Sequence, residues 1–343
     1  MTQDEALQLL GEVIYAEGMA TVEHAKRNHR KFVHYTSAET AMSIIKNQEI
    51  WLRNSSAMND YSEIAYGEAL FRDVFYSESD ANRRSREILN GISDGLHDRL
   101  AAYFEEGAQR RRFFTYLISV SEHGPYDLKP GLIPDQREER YGRLSMWRAY
   151  GRESVAVALV LNSQAFFQPT SAIPAITTPV VYCEQGEFDH LYSSIMLRAH
   201  QRANELRQLP EGWFENNLRS FLDSSALALK HPGFDEEREW RITYSANPDA
   251  EHVDDAVFNA ESRIKRQFVC LNGIPQRIYK IPFVNYPDEG FKGADINTLL
   301  EKVIIGPSQY PIVVADAILM ALRAAGVENA ADKIAISNIP LRT

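Results

Sequence analysis

Cysteine is scarce: the 343 residues hold two, Cys183 and Cys270, each within an apolar or strand-like stretch. Two isolated thiols argue against a disulfide scaffold or a zinc site. Positive charge is also in deficit, with 37 basic against 47 acidic side chains and a formal charge of −10. That balance argues against a broadly basic nucleic-acid surface, although it leaves room for a local groove. The opening MTQDEALQLLGEV is acidic and amphipathic, without the basic and apolar regions of a signal peptide. The most apolar C-terminal run, Pro311 to Gly326, is interrupted by Asp316 and Arg323 and is too short to span a bilayer. Together these features predict a soluble cytoplasmic protein with no membrane and no disulfide-linked partner. Repeats and low-complexity tracts are absent. So are a Walker loop, GxGxxG, HExxH, CxxC and any evident Ser-His-Asp arrangement.

What is present is an ordinary globular composition, 44% hydrophobic and 24% charged, in a chain long enough for a large core. Its most informative stretch is KFVHYTSAETAMSIIKNQEIWLRNSSAMNDYSE, from Lys31 to Glu63. Phe32 to Thr36 reads as a strand, with Phe32, His34 and Thr36 on one face and Val33 and Tyr35 on the other. A histidine and a hydroxyl on one strand face suit a sugar or a phosphate. Thr36-Ser37-Ala38-Glu39 has the form of a capping box, and Ala38, Ala41, Ile44 and Ile45 follow at helical spacing. Ile50 to Arg53 reads as a second strand, and Asn59-Asp60-Tyr61-Ser62-Glu63 as the start of another helix.

Residues 4–28 predict an amphipathic helix with Leu7, Leu10, Ile14 and Tyr15 as its apolar side. Phe113 to Ser121 predicts a strand, Glu122 to Arg143 a long irregular segment, and Leu144 to Tyr150 a short helix stopped by Gly151. Ser154 to Asn162 is almost wholly apolar, as expected of a central strand. Further strands are expected around 180–183, 238–245, 263–271, 276–283, 303–305 and 333–337. The fold class predicted is α+β: a mixed, mostly antiparallel sheet with flanking helices. An N-terminal helix over 1–30 precedes a single domain, 31–343, with helical insertions at about 60–110 and 187–229.

Four clusters carry possible chemistry, and each has a structural alternative. In the first, His34-Tyr35-Thr36, Thr36 need only cap a helix and His34 need only be a core histidine. Asp60 and Glu63 likewise suit a helix N-terminus, or with Asn59 they project into a cleft beside His34. Trp147 and Tyr150 share a helix face, which serves core packing or, at Tyr150, stacking on a base or nicotinamide. If Arg238 to Tyr244 is a strand, Trp240, Ile242 and Tyr244 face the core, with Glu239 and Arg241 opposite. Those two form a solvent-facing ion pair, or a carboxylate that stabilises a developing cation beside an arginine that holds a phosphate.

In this order the clusters resemble a bacterial family known as domain of unknown function 2971. The resemblance rests on His34-Tyr35-Thr36, Asn59-Asp60-Tyr61-Ser62-Glu63, Trp147-Arg148-Ala149-Tyr150, Glu237-Arg238-Glu239-Trp240-Arg241 and Ile305-Gly306-Pro307, and covers roughly 30–340. More distantly, a His-x-Thr strand followed by a helix and a short strand resembles the opening of ADP-ribosyltransferase folds. That resemblance implies an ADP-ribosyltransferase-like core with NAD as substrate and no metal. His34 and Thr36 would hold the adenosine-side ribose, Tyr150 would be the aromatic at the nicotinamide, and Glu239 the catalytic carboxylate. Arg53 or Arg241 would pair with the pyrophosphate, while Asn59, Asp60 or Glu63 would position an unknown acceptor. Tyr35 and Trp147 complete the expected NAD-binding set. The family setting implies a role in bacterial stress or phage defence. Two rivals stand beside this reading: a metal-dependent hydrolase or nuclease using His34, Asp60, Glu63 and Glu239 with His231 nearby, and a non-catalytic nucleotide-sensing module.

Overall fold

The computed structural model describes residues 1–57, 61–124, 137–151, 155–168, 172–249, 253–271 and 273–340. Two compact units emerge. One gathers 1–23, 54–115 and 178–235, and the other 24–53, 116–177 and 236–343. The N-terminal helix thus falls in the same unit as the two segments expected as helical insertions.

The first unit is mainly helical. Helices Gln3–Ile14, Tyr61–Tyr76, Asp80–Ile92, Leu96–Glu106, Gln185–Gln201 and Trp213–Ala226 bury a core that includes Leu10, Phe71, Phe75, Phe104, Tyr192 and Leu222. Gly67 is required there, because a Cβ would stand 2.2 Å from the Ala226 carbonyl oxygen. The predicted helix over 4–28 breaks at Tyr15, and its buried stripe is Ala6, Leu9, Leu10, Val13 and Ile14, with Leu7 exposed. The 6-9-10-13-14 spacing forms a wider apolar face than one containing Leu7, so the helix is rotated from the expected orientation.

In chain order the strands are β1 Lys31–Ser37, β2 Glu49–Asn54, β3 Thr115–His123, β4 Ala156–Asn162, β5 Ile176–Pro179, β6 Val181–Tyr182, β7 Leu229–Lys230, β8 Glu239–Ser245, β9 Lys265–Leu271, β10 Ile274–Pro282, β11 Leu300–Ile305 and β12 Ile334–Ile336. The main sheet runs β12-β11-β4-β1-β3-β2-β10-β9, with β8 pairing both β3 and β5. The pairings of β4 with β1 and β11, and of β10 with β2 and β9, are antiparallel; β11 and β12 are parallel. The observed class is therefore α+β with a mostly antiparallel sheet. β4 is buried along nearly its whole length, as its apolar sequence requires. β3 starts two residues later than expected, since Phe113 and Phe114 close the helix Ala108–Phe114. Among the described residues no helix is long and apolar enough to cross a membrane.

The feature that positions the candidate site is a divergence of strands. β1 pairs with β4 along all seven residues, from Lys31↔Asn162 to Ser37↔Ala156. Its ladder with β3 covers Lys31–Val33 against Ser121–His123. Beyond Val33 the two strands part, and His34 is the first residue past the shared ladder.

Candidate functional site at the fork between β1 and β3

At the fork the His34 ring replaces the missing main-chain partner: its Nδ1 lies 3.1 Å from the Ser119 carbonyl oxygen. A carbonyl only accepts, so Nδ1 carries the proton and, in the neutral ring, Nε2 keeps a free lone pair. Burial pushes the His34 pKa below the usual histidine range, opposed by the Ser119 hydrogen bond. The same Ser119 offers its hydroxyl to Glu239, with Oγ donating to Oε1 at 2.5 Å. Arg241 holds the carboxylate from the other side, Nε to Oε1 at 2.7 Å and Nη2 to Oε2 at 3.3 Å. Through their shared partner, the His34 ring and the Glu239 carboxylate lie within about 10 Å of one another. That is close enough for one dinucleotide.

Glu239 and Arg241 share a strand face, as alternation requires, but they are not a solvent-facing pair: 5% and 1% of their surfaces are exposed. His34 and Ser119 are half-buried, so they form the accessible side of the cluster. With Arg241 committed to Glu239 and buried, it positions the carboxylate and does not fit the expected pyrophosphate role. Arg53, half-buried on β2, donates from Nε to Gln276 Oε1 at 3.3 Å. Thr36 is buried within the β1–β4 ladder opposite Val157. The helix cap expected of Thr36 is instead supplied by Ser37, whose hydroxyl accepts from the Thr40 amide at 3.1 Å.

Tyr35 and Trp147 lie elsewhere. Their rings meet edge to face at 4.9 Å in a core with Val33, Met146, Ala158 and Ile304. Trp147 Nε1 donates to the Tyr141 carbonyl at 2.7 Å, and the Tyr35 hydroxyl accepts from the Arg143 amide at 2.8 Å. Two glycines make room for the indole. A Cβ on Gly142 would meet it at 2.4 Å and one on Gly306 at 2.9 Å. The Trp147 helix and the Ile305-Gly306-Pro307 turn are thus parts of one packing arrangement, and neither Tyr35 nor Trp147 is placed to touch a ligand beside His34. Tyr150, 45% exposed, ends the same helix, Leu144–Tyr150, which packs on the Tyr35 side of β1.

Asn59 and Asp60 lie outside the described residues. Glu63 belongs to the first unit, where it pairs with the buried Lys230 at 2.6 Å. His231 belongs there too; its ring meets Tyr66 edge-on at 5.7 Å, and its Nδ1 accepts from the Gly233 amide. Among the described residues no group of three or more His, Cys, Asp or Glu side chains is arranged to hold a metal ion. An apolar cleft in the second unit, lined by Ile50, Phe166, Ile242, Ile281 and Phe291 among others, contains none of the candidate residues.

Two partners escaped the sequence reading. Ser119 is a hydroxyl in an otherwise apolar strand interior, TYLISVS, and that break in pattern is its only signal. Arg143 is buried with its guanidinium against the Glu122, Glu236 and Glu237 carbonyls and the Glu138 carboxylate. It ties β3, the entry to β8 and the helix Arg137–Tyr141 together, and nothing local in the sequence marks it.

A family described as protein of unknown function (DUF2971) matches residues 146–242, a segment that holds Trp147, Tyr150, Glu239 and Arg241. Comparison with curated proteins and with solved structures finds no match.

Proposed function

We propose that the fork binds NAD and that the protein is an NAD-dependent ADP-ribosyltransferase-like enzyme. It would cleave the nicotinamide–ribose bond and pass ADP-ribose to an acceptor. The observation that carries this reading is the convergence of His34 and Glu239 on Ser119. A sugar-binding ring and an oriented carboxylate there lie within one dinucleotide's reach.

The chemistry asks little of the protein. Nicotinamide in NAD is cationic, so heterolysis returns the bonding pair to its ring nitrogen and it departs neutral, without a general acid. Positive charge develops on the ribose, as in glycoside cleavage. Glu239, accepting from the ribose 2′-hydroxyl, stabilises that charge, while Ser119 and Arg241 keep its oxygens from swinging away. The acceptor's lone pair then forms the new bond to C1′ and its proton is lost to solvent. His34, neutral with Nε2 as an acceptor, takes a hydroxyl of the adenosine-side ribose, and Arg53 pairs with the pyrophosphate. Bacterial stress or phage defence remains the setting in which such an activity would act.

One observation favours a second reading. Both Glu239 oxygens are already engaged and little of the residue is exposed, which also suits a nucleotide sensor that cleaves nothing. The deciding experiment is nicotinamide release from NAD by purified protein, with EDTA present and cell lysate supplied as acceptor. Release by the wild type, reduced by about 10²–10³ in Glu239→Gln, is the expected result. No release, together with a melting temperature that NAD raises, overturns the enzyme reading in favour of the sensor.

A further inference from the structure

We propose that the outward face of the helix Pro311–Ala324 is a homodimer interface, formed by antiparallel pairing with the same helix of a second copy of this chain. This helix forms most of the apolar C-terminal run of the sequence. Its inward positions Ile318, Ala321 and Leu322 account for the side packed on the helix Ala38–Asn47 and on β11 and β12. Its outward positions are apolar as well: Val313 and Met320 are 67% and 58% exposed, and Ala317 and Ala324 are exposed beside them. Tyr310 and Ile312 extend the patch at its N-terminal end. Large apolar residues contiguous along one solvent face mark an interaction surface.

The spacing Val313, Ala317, Met320, Ala324 runs four, three, four, the seam of a two-stranded helical pair about 16 Å long. The occupant follows from the order of sizes and charges. Turned about a two-fold axis, the seam sets Val313 against Ala324 of the second copy and Ala317 against its Met320, so every layer joins a large side chain to a small one. The same register brings Asp316 beside Arg323 of the second copy, twice by symmetry. Both are exposed, and among the described residues neither has an ion-pair partner within its own chain. A parallel pair would instead place Met320 on Met320 and leave both charges facing alanines or solvent. A patch that complements itself under a two-fold rotation is the requirement for an isologous dimer.

A seam this short belongs with small, transient interfaces, so dissociation is expected in the roughly 1–100 µM range. Sedimentation velocity of the full chain from about 1 to 300 µM reads it directly. The wild type should pass from monomer to dimer across that range, and Met320→Glu, at an exposed site that leaves the core untouched, should stay monomeric. Asp316→Arg and Arg323→Asp should each be monomeric alone, by like-charge repulsion. Mixed in equal amounts they should form a heterodimer, since both flanking pairs then attract. A wild type monomeric at the highest concentration overturns the proposal. So does a dimer indifferent to Met320→Glu, or a pair of charge variants that mixing does not rescue.

Discussion

Neighbouring residues of β1 serve opposite ends. Tyr35 and Val33 face a closed apolar cluster in which the Trp147 ring is fitted between Gly142 and Gly306, with its indole nitrogen and the Tyr35 hydroxyl both hydrogen-bonded. His34, one residue away, turns its ring to the Ser119 carbonyl where the sheet divides, and the Ser119 hydroxyl links that point to the paired Glu239 and Arg241. For stability alone the second arrangement is a poor choice. A buried carboxylate–guanidinium pair recovers its desolvation penalty only in good geometry, and apolar side chains of like volume often serve as well or better. Keeping charge where the sheet divides is therefore an argument for use rather than for folding.

This contrast breaks most severely at Trp147. Trp147→Ala empties the closed side and should cost about 3–5 kcal/mol, read as a lower denaturant midpoint with an unchanged slope. If the two sides are as separate as their contacts, nicotinamide release per folded molecule should survive at temperatures where the variant remains folded. Activity lost in step with Glu239→Gln would mean that Trp147 supports the site directly and would erase the distinction.

Tyr35→Phe makes a smaller change on the same side. It removes one oxygen and leaves the buried Arg143 amide without its acceptor, at a cost of about 1–3 kcal/mol. Burial raises the Tyr35 pKa to about 12, with Arg143 opposing, so the hydroxyl stays neutral and the loss should be the same at pH 6 and pH 9. A pH-dependent loss would show the phenol ionising, contrary to its place in the core.

What the sequence made legible divides along the same line. Strand alternation placed His34 opposite Tyr35, and Glu239 beside Arg241, because a period of two needs no tertiary information. It did not reveal that Tyr35, Trp147 and Gly306 belong to one packing cluster, which depends on residues more than a hundred positions apart. Nor did it reveal Ser119, whose importance comes from strands diverging at one residue. Alternation leaves two readings of Glu239 and Arg241 open, a solvent-facing pair or a functional one; burial removes the first, and their mutual satisfaction is what allows them inside. Thr36 looked like a cap because Thr-x-x-Glu is a capping pattern, but β1 runs one residue further and Ser37 takes that place. In the first unit the spacing of Leu7, Leu10 and Ile14 predicts a buried face that includes Leu7, and Ala6, Leu9 and Val13 fill that face instead.

The subtlest effect separates the two sides by pH. Burial lowers the His34 pKa, and its hydrogen bond to Ser119 opposes that shift without cancelling it. A histidine depressed in this way contributes stability that is complete above its ordinary pKa of about 6.5 and is lost as the pH falls below it, since the folded state disfavours the added proton. In an NMR titration of the ring, referenced to His34→Gln, the midpoint should fall below 6.5. On the proposed reading nicotinamide release should decline along the same acid limb, because protonation removes the Nε2 lone pair that would accept from the ribose. A midpoint above 6.5 would mean that a carboxylate holds the ring charged, with both nitrogens donating. His34 would then be unable to receive the ribose as described, and the fork would become a buried charge cluster whose purpose is to hold β1 and β3 apart.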